Sequence, residues 1–316
     1  MPTIAPLNIP QLSPEEKERW HPFLESKYWP CLDGTDIWGV DDTIIVALGA
    51  YEDKRPVGIV LSTFRVPQRY ALILALHVEE KSRNKKIGTQ LLSQLEPTLV
   101  EKDCSLMSIT YPSDVPTTIY LEKILNRLAW DQGTPFSIRC HFKSSTFSAS
   151  WMKNKYRLPK NIEIFKWKFL TLKERKQLEL EISRDMIPSS VSPFIQEKLI
   201  EPSNSLGLRK KDGEVIGWMI THRMDVDTIQ YASLFIKREY QFLGYAIFLS
   251  TESIRLQMEG PVENAFLNVT YAECDNSWLR YVKNRIVPNS VKVERFNESY
   301  RRIGNLYPED DPERFG

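Results

Sequence analysis

Hydrophobic and polar positions along this chain follow an order that is written twice. The clearest segment is Tyr70-Ala-Leu-Ile-Leu-Ala-Leu-His-Val78, apolar at nearly every position. A short run with no polar alternation predicts a central strand covered on both faces. Thr228-Ile-Gln-Tyr-Ala-Ser-Leu-Phe-Ile236 takes the same place in the second half. Gly58 precedes Val78 by 20 residues, and Gly217 precedes Ile236 by 19. Around each glycine the chain reads as a turn feeding a strand. In the second copy, Asp212-Gly213 marks that turn, because glycine tolerates the positive φ a tight hairpin requires.

Ten residues beyond each central strand a small residue, Gly88 or Ala246, opens a helix. Ile87, Leu91, Leu92, Leu95 and Leu99 recur at helical spacing. Tyr245, Phe248, Leu249 and Leu256 repeat the stripe less regularly. Strands at 105–110 and 265–270 come next, then helices at 117–128 and 276–285, then extended segments at 136–142 and 291–295. Each copy also has a front piece. In the first, Ser13 caps a helix and Pro14 takes its first turn, as their chemistry favours. In the second, a strand at 162–170 precedes Thr171 and Glu174, the spacing of a capping box. Residues 143–159, rich in Ser, Lys and Asn, read as the linker. The expectation is two tandem domains, 1–150 and 151–316.

Composition supports two ordinary cores and narrows the partners. The 316 residues are 42% hydrophobic, 26% charged and 11% aromatic, enough apolar material for two domains of common size. With 42 basic and 41 acidic residues the net charge is +1. Bulk electrostatics therefore gives no reason to expect nucleic acid or an anionic membrane as partner. Cys31, Cys104, Cys140 and Cys274 are scattered, and the histidines are not clustered, so neither a metal site nor a disulfide framework is expected. The first residues lack the basic-then-apolar pattern of a signal peptide, which makes the cytoplasm the expected location.

The chemistry is expected in the loop that joins each central strand to its helix. In the first copy the loop runs from Val78 through Arg83, Lys85 and Lys86 to Ile87, Gly88 and Thr89. In the second it runs from Ile236 through Gln241, Phe242, Leu243 and Gly244 to Tyr245 and Ala246. A strand that wraps directly into a helix N-terminus presents backbone N–H groups with no intrahelical acceptor, and the helix dipole adds positive character. Such a turn can cradle a pyrophosphate, and small residues let the backbone approach it.

Both loops resemble the acyl-CoA-binding signature of the GNAT acetyltransferase superfamily, Arg/Gln-x-x-Gly-x-Gly/Ala after a strand ending in Val or Ile. Gln241, Gly244 and Ala246 satisfy the pattern; Arg83 and Gly88 satisfy it with Lys86 where the first glycine belongs. The order of strands and helices around the loops is similar twice, so the resemblance spans nearly the whole chain. It implies an α/β fold of two tandem domains, each a splayed, mostly antiparallel mixed sheet flanked by helices. It also implies acetyl-CoA or another acyl-CoA as donor, inserted in the splay, and an amine acceptor that attacks the thioester directly.

Direct attack requires a group to take the amine's proton and another to protonate the leaving thiolate. The family often places a tyrosine in the penultimate helix as that acid. Tyr281 fits in the second copy, while the first has Leu125 at the position and Tyr120 a turn earlier, where packing is expected. For a base, His222, Asp225 and Asp227 are candidates in the second copy, and Glu79 and Glu80 in the first. His77, inside an apolar strand, is expected to be structural. The second half is the expected catalytic one. Other readings of the same residues remain: Lys81, Arg83, Lys85 and Lys86 as a solvated loop, and Phe242 and Leu243 as packing under the helix. The functional alternatives are transfer of a longer, fatty acyl chain to a Lys- or ornithine-type side chain of a peptide, and a non-catalytic CoA-binding or interaction protein.

Overall fold

A computed structural model describes residues 2–37, 42–153, 157–274 and 276–304. The chain forms two compact units, one from Met1–Phe136 with Arg295–Gly316, the other from Ser137–Glu294.

In the first unit, strands β1 (Thr3–Pro6), β2 (Thr43–Glu52), β3 (Arg55–Arg65) and β4 (Tyr70–Val78) are antiparallel neighbours. Strand β5 (Leu106–Pro112) runs parallel to β4, but only along Tyr70–Ile73. Beyond Ile73 the two strands part. The far side of β5 is covered by the last strand of the chain, β12 (Lys292–Arg302), which is antiparallel to it. Helices α2 (Ile87–Val100) and α3 (Thr118–Arg127) lie on one face. There Leu91, Leu92, Leu95 and Leu125 bury against Val60, Phe64 and Ile73, each worth about 1.5–3 kcal/mol of transfer free energy. Helix α1 (Pro14–Trp20) covers the other face through Trp20. Its start is the predicted one: Ser13 accepts from the Glu16 N–H, and the Glu16 carboxylate accepts from the Ser13 N–H.

The second unit repeats this plan. Strands β7 (Ile162–Lys166), β8 (Leu206–Lys210), β9 (Val215–Asp225) and β10 (Thr228–Ile236) are antiparallel neighbours. Strand β11 (Asn264–Thr270) is parallel to β10 along Thr228–Tyr231 only. Beside β11 lies β6 (Thr134–Lys143), antiparallel along Ser137–Lys143. Helix α5 (Tyr245–Glu259) and the short α6 (Asn276–Tyr281), which continues as a π-turn, pack on one face. Helix α4 (Leu172–Ser183) packs on the other and opens with the predicted Thr171–Glu174 capping box.

The glycine spacing noted in the sequence is a hairpin register. Gly58 is paired with Val78, and Gly217 with Ile236. A Cβ on Gly217 would stand 2.5 Å from Ile236 Cδ1 and 2.6 Å from the Phe235 carbonyl. On Gly58 it would stand 2.9 Å from the His77 carbonyl. Only glycine lets these strands pair so closely beneath the loop that follows.

The compact units do not follow a cut at residue 150. β6 ends the first copy of the pattern yet pairs with β11, and β12 ends the second yet pairs with β5. Hydrophobic periodicity records that a strand exists, not which neighbour it takes. The described part of the 143–159 stretch is not a loose linker either; residues 154–156 of that stretch lie outside the described residues. Phe147 and Trp151 are buried and pack with Phe142, Ile247 and Ile254. Among the described residues, no helix is long and apolar enough to cross a membrane.

Candidate functional site

In the second unit the parallel strands separate after Tyr231 and Leu267. The pairing of β10 with β9 slips at the same place. Tyr231 faces Thr221 and Ser233 faces Ile220, leaving Ala232 as a bulge. A bulged residue is unpaired in the ladder and re-aims the backbone. The first unit has the same feature: Leu61 faces Ala75 and Ser62 faces Ile73, so Leu74 is bulged. Leu74 lies four residues before Val78, as Ala232 lies four before Ile236.

The separation in the second unit opens a cleft of about 460 Å³. One wall is β10, through Ala232, Ser233, Leu234 and Ile236; the opposite wall is residues 267–270 of β11. Helix α5 contributes Ala246, Ser250, Ile254 and Gln257, a single stripe at helical spacing. Trp278 and Tyr281 of α6, with Phe142, Phe147 and Trp151, complete the lining. Ser233 is fixed from behind: its hydroxyl donates to the Val191 carbonyl at 2.7 Å and accepts from the Trp218 indole at 3.0 Å. Tyr231 donates to Gln257 at 2.8 Å. Burial pushes its phenol well above the ordinary tyrosine range, so it stays neutral.

The strand-to-helix loop has the geometry expected of an anion cradle. Gly244 has φ 78° and caps α5, a left-handed conformation that glycine adopts without strain. The first intrahelical bond joins the Phe248 N–H to the Gly244 carbonyl, which leaves the N–H groups of Tyr245, Ala246 and Ile247 without helical acceptors. The Gln241 side chain donates to the Ile236 carbonyl at 3.1 Å and ties the loop to the strand end. Phe242 is 96% exposed and Leu243 58%, so they do not pack under the helix. Tyr245 is buried and stacks on Tyr240.

In the first unit Arg83 donates to the Val78 carbonyl at 3.2 Å, the counterpart of the Gln241 bond. Lys86 holds the position of Gly244 with φ 63°. Lys85 is paired with Glu52 at 2.8 Å, and its hydrogen bond holds the Glu52 carboxyl below the usual range. Gly88 and Thr89 enter the first turn of α2, behind the buried Ile87.

Of the expected catalytic groups, Tyr281 reaches the cleft, stacked on Trp278 at 5.4 Å. His222 does not. It follows Ile220 by two on β9, its ring is buried, and burial lowers its pKa. The Ile195 backbone faces the ring without meeting hydrogen-bond geometry. Asp225 and Asp227 are spent on the β9–β10 turn, where Asp227 accepts from Asn264 at 2.8 Å. Glu79 pairs with Arg55, and Glu80 is exposed. Tyr120 is 62% exposed rather than packed. The described lining of the cleft contains no carboxylate and no imidazole.

The acetyltransferase (GNAT) family model matches residues 9–125. A tandem GNAT protein from the clavulanic acid biosynthesis pathway superposes with a TM-score of 0.68 at 12% identity, covering 97% of this chain and 100% of that one. A GCN5-related N-acetyltransferase from Sphaerobacter thermophilus has a TM-score of 0.60 at 13% identity, covering 90% and 88%. A glucosamine N-acetyltransferase region of a fungal β-N-acetylglucosaminidase has 0.61 at 12% identity, covering 95% of this chain and 38% of that one. No curated protein matches the sequence.

Residues 9–125 match the GNAT acetyltransferase family, and the two units together share the fold of tandem GNAT proteins.

The two units differ in the room left between their parted strands. In the first, the strands part at Ile73, but apolar side chains occupy the space between α2 and α3. Ile124 Cδ1 lies 3.2 Å from where a Cβ on Gly88 would stand, and Leu121, Ile124 and Leu128 pack onto the core with Val78. Leu125, at the tyrosine position, is buried. In the second unit α6 is six residues long, against ten for α3, and the corresponding stripe of α5 faces the cleft. The bulge at Ala232, Ser233, Trp278 and the Phe147–Trp151 roof escaped the sequence reading. Two aromatic residues within a Ser- and Lys-rich stretch were the available signal that it packs.

Proposed function

We propose that this protein is an acyl-CoA-dependent N-acyltransferase whose working cleft is that of the second unit, and that its donor carries an acyl chain longer than acetyl. One observation carries the reading. The cleft beside the Ala232 bulge is lined by Ser250, Ile254 and Gln257 of α5 together with the apolar rings of Phe142, Phe147 and Trp151. Those rings offer an apolar surface that a longer acyl chain would cover and an acetyl group would not.

In this reading the free N–H groups at the start of α5, with Gly244 and Ala246, hold the pyrophosphate. The strand edge from Ile236 to Ser233 holds the pantetheine. The amide turned out at the Ala232 bulge polarises the thioester carbonyl, where charge develops on attack. Tyr281 protonates the departing sulfur. The acceptor is an amine; a Lys- or ornithine-type side chain meets that requirement. The first unit, filled by Ile124 and Leu125, serves as scaffold.

The test is thermal stabilisation by acetyl-, octanoyl- and palmitoyl-CoA. At about a hundredfold over the dissociation constant, linkage gives roughly 2.7 kcal/mol, a shift of several degrees. The expected result is a larger shift with octanoyl- or palmitoyl-CoA, abolished by Gly244→Glu and kept by Gly88→Glu. Equal stabilisation by all three donors would remove the long-chain reading. Loss of the shift in Gly88→Glu alone would move the site to the first unit.

A further inference from the structure

The cleft lining lacks a group to take the acceptor's proton, yet one lies beside it on the same sheet. We infer that His141, oriented by Glu294, is the general base of the second unit. The inference rests on the donor occupying that unit's cleft.

Arg139 and His141 are two residues apart on β6, so their side chains share one face of the sheet. In the register, Arg139 is opposite Asn268 and His141 is opposite Phe266. The contacts agree. Arg139 donates to Asn268 at 2.7 Å and lies over the Phe266 ring, and the His141 ring is 6.0 Å from the same ring. Asn268 is itself part of the cleft wall. His141 is therefore the diagonal cross-strand neighbour, about 7–8 Å away on the same face, of a residue that lines the cleft.

The imidazole is held as a base must be. His141 Nε2 lies 2.7 Å from a Glu294 carboxylate oxygen. A carboxylate accepts only, so in the neutral ring the proton belongs on Nε2 and the lone pair on Nδ1. Among the described residues nothing is bonded to Nδ1, and the side chain remains 29% exposed. The backbone locks the pair, since the Val291 N–H donates to the His141 carbonyl at 2.8 Å. The charged groups around the ring are Arg139 and Lys143 on its own strand and Lys292 and Glu294 beside it. Lys292 is bonded to the second oxygen of Glu294, and Lys143 faces Glu263. Strand β11 presents no titratable group there. A carboxylate that fixes the tautomer and orientation of a histidine and leaves its other nitrogen unbonded is the arrangement that makes imidazole an effective base at neutral pH.

In the step assigned to it, the acceptor ammonium gives one proton to His141 Nδ1, directly or through one water, and His141 passes it to solvent. The freed nitrogen lone pair forms the C–N bond with the thioester carbon. The C–S bond breaks with its electron pair on sulfur, and the nitrogen's second proton is balanced by the one the sulfur receives. His141 is the catalytic residue; Glu294 is a positioning residue.

The experiment measures thiol release from octanoyl-CoA against pH, with glycinamide as amine and with water alone as nucleophile, alongside the thermal shift given by octanoyl-CoA. His141→Gln is expected to lower turnover about a hundredfold in both arms and to remove the acidic limb of the profile, while the thermal shift stays intact. Glu294→Gln should move that limb and lower kcat with KM for the donor unchanged, and Glu294→Asp should restore part of it. Wild-type turnover across the profile in His141→Gln, with the thermal shift intact, would overturn the assignment. If instead Gly244→Glu keeps full donor binding, the donor is not in this cleft, and the reading of the second unit fails first.

Discussion

The side chain of Gln241 donates to the backbone carbonyl of Ile236 at 3.1 Å, closing a five-residue loop at the end of the central strand. Arg83 and Val78 make the corresponding bond in the first unit. The tie holds the loop amides in place before a ligand arrives, so its loss should appear in binding more than in stability. Gln241→Ala is expected to weaken acyl-CoA about tenfold by titration calorimetry, near the worth of one hydrogen bond. Arg83→Ala is expected to leave it unchanged. The reverse pattern would assign the donor to the first unit.

Lys86 and Gly244 share a left-handed conformation before a helix, but only one of them suits it. A side chain in that region costs about 1–2 kcal/mol. Gly244→Lys should therefore lower stability by about that amount in denaturant titration. Lys86→Gly should leave stability level or raise it by about 0.5 kcal/mol, because relieved strain is offset by a more flexible unfolded chain.

The buried ring of His222 makes a pH prediction with a definite sign. Burial lowers its pKa below 6.5, so the native state holds it neutral while the unfolded chain protonates it more readily. Its contribution is fully present above the unfolded value and is lost as pH falls through the window down to the folded value. His222→Leu should flatten the fall in stability from about pH 7 to pH 5. It should also retain turnover, which separates His222 from His141.

How much of this was legible in the sequence depends on range. Caps at Ser13 and Thr171 were readable because their partners lie three residues away. The strands ending at Val78 and Ile236 were readable from unbroken apolar runs, and the loop residues followed from the turn that must leave them. Tyr281, read from the tyrosine that the resemblance implies in the penultimate helix, lies on the cleft lining. What failed was non-local. His141 sits on β6, which the linear order gives to the first copy, while the fold gives it to the second. His222 looked available beside a strand end, and the segment around Ile195 and Ile200 buries it.

The apolar residues of the cleft should set the donor. Ile254 lies on the cleft-facing stripe of α5 and packs with Phe147 and Trp151. Ile254→Trp would fill space that, in the proposed function, takes distal methylenes. Each buried CH₂ is worth about 0.8 kcal/mol, so excluding two or three of them should cost long-chain donors roughly 10- to 100-fold in kcat/KM. Acetyl-CoA, whose two-carbon acyl group stops short of Ile254 in that proposal, should be used as well as before. The ratio of octanoyl to acetyl turnover is the quantity to measure, because damage to the fold would lower both together and only a filled channel changes the ratio. An unchanged ratio in a folded variant would mean that the acyl chain takes another path.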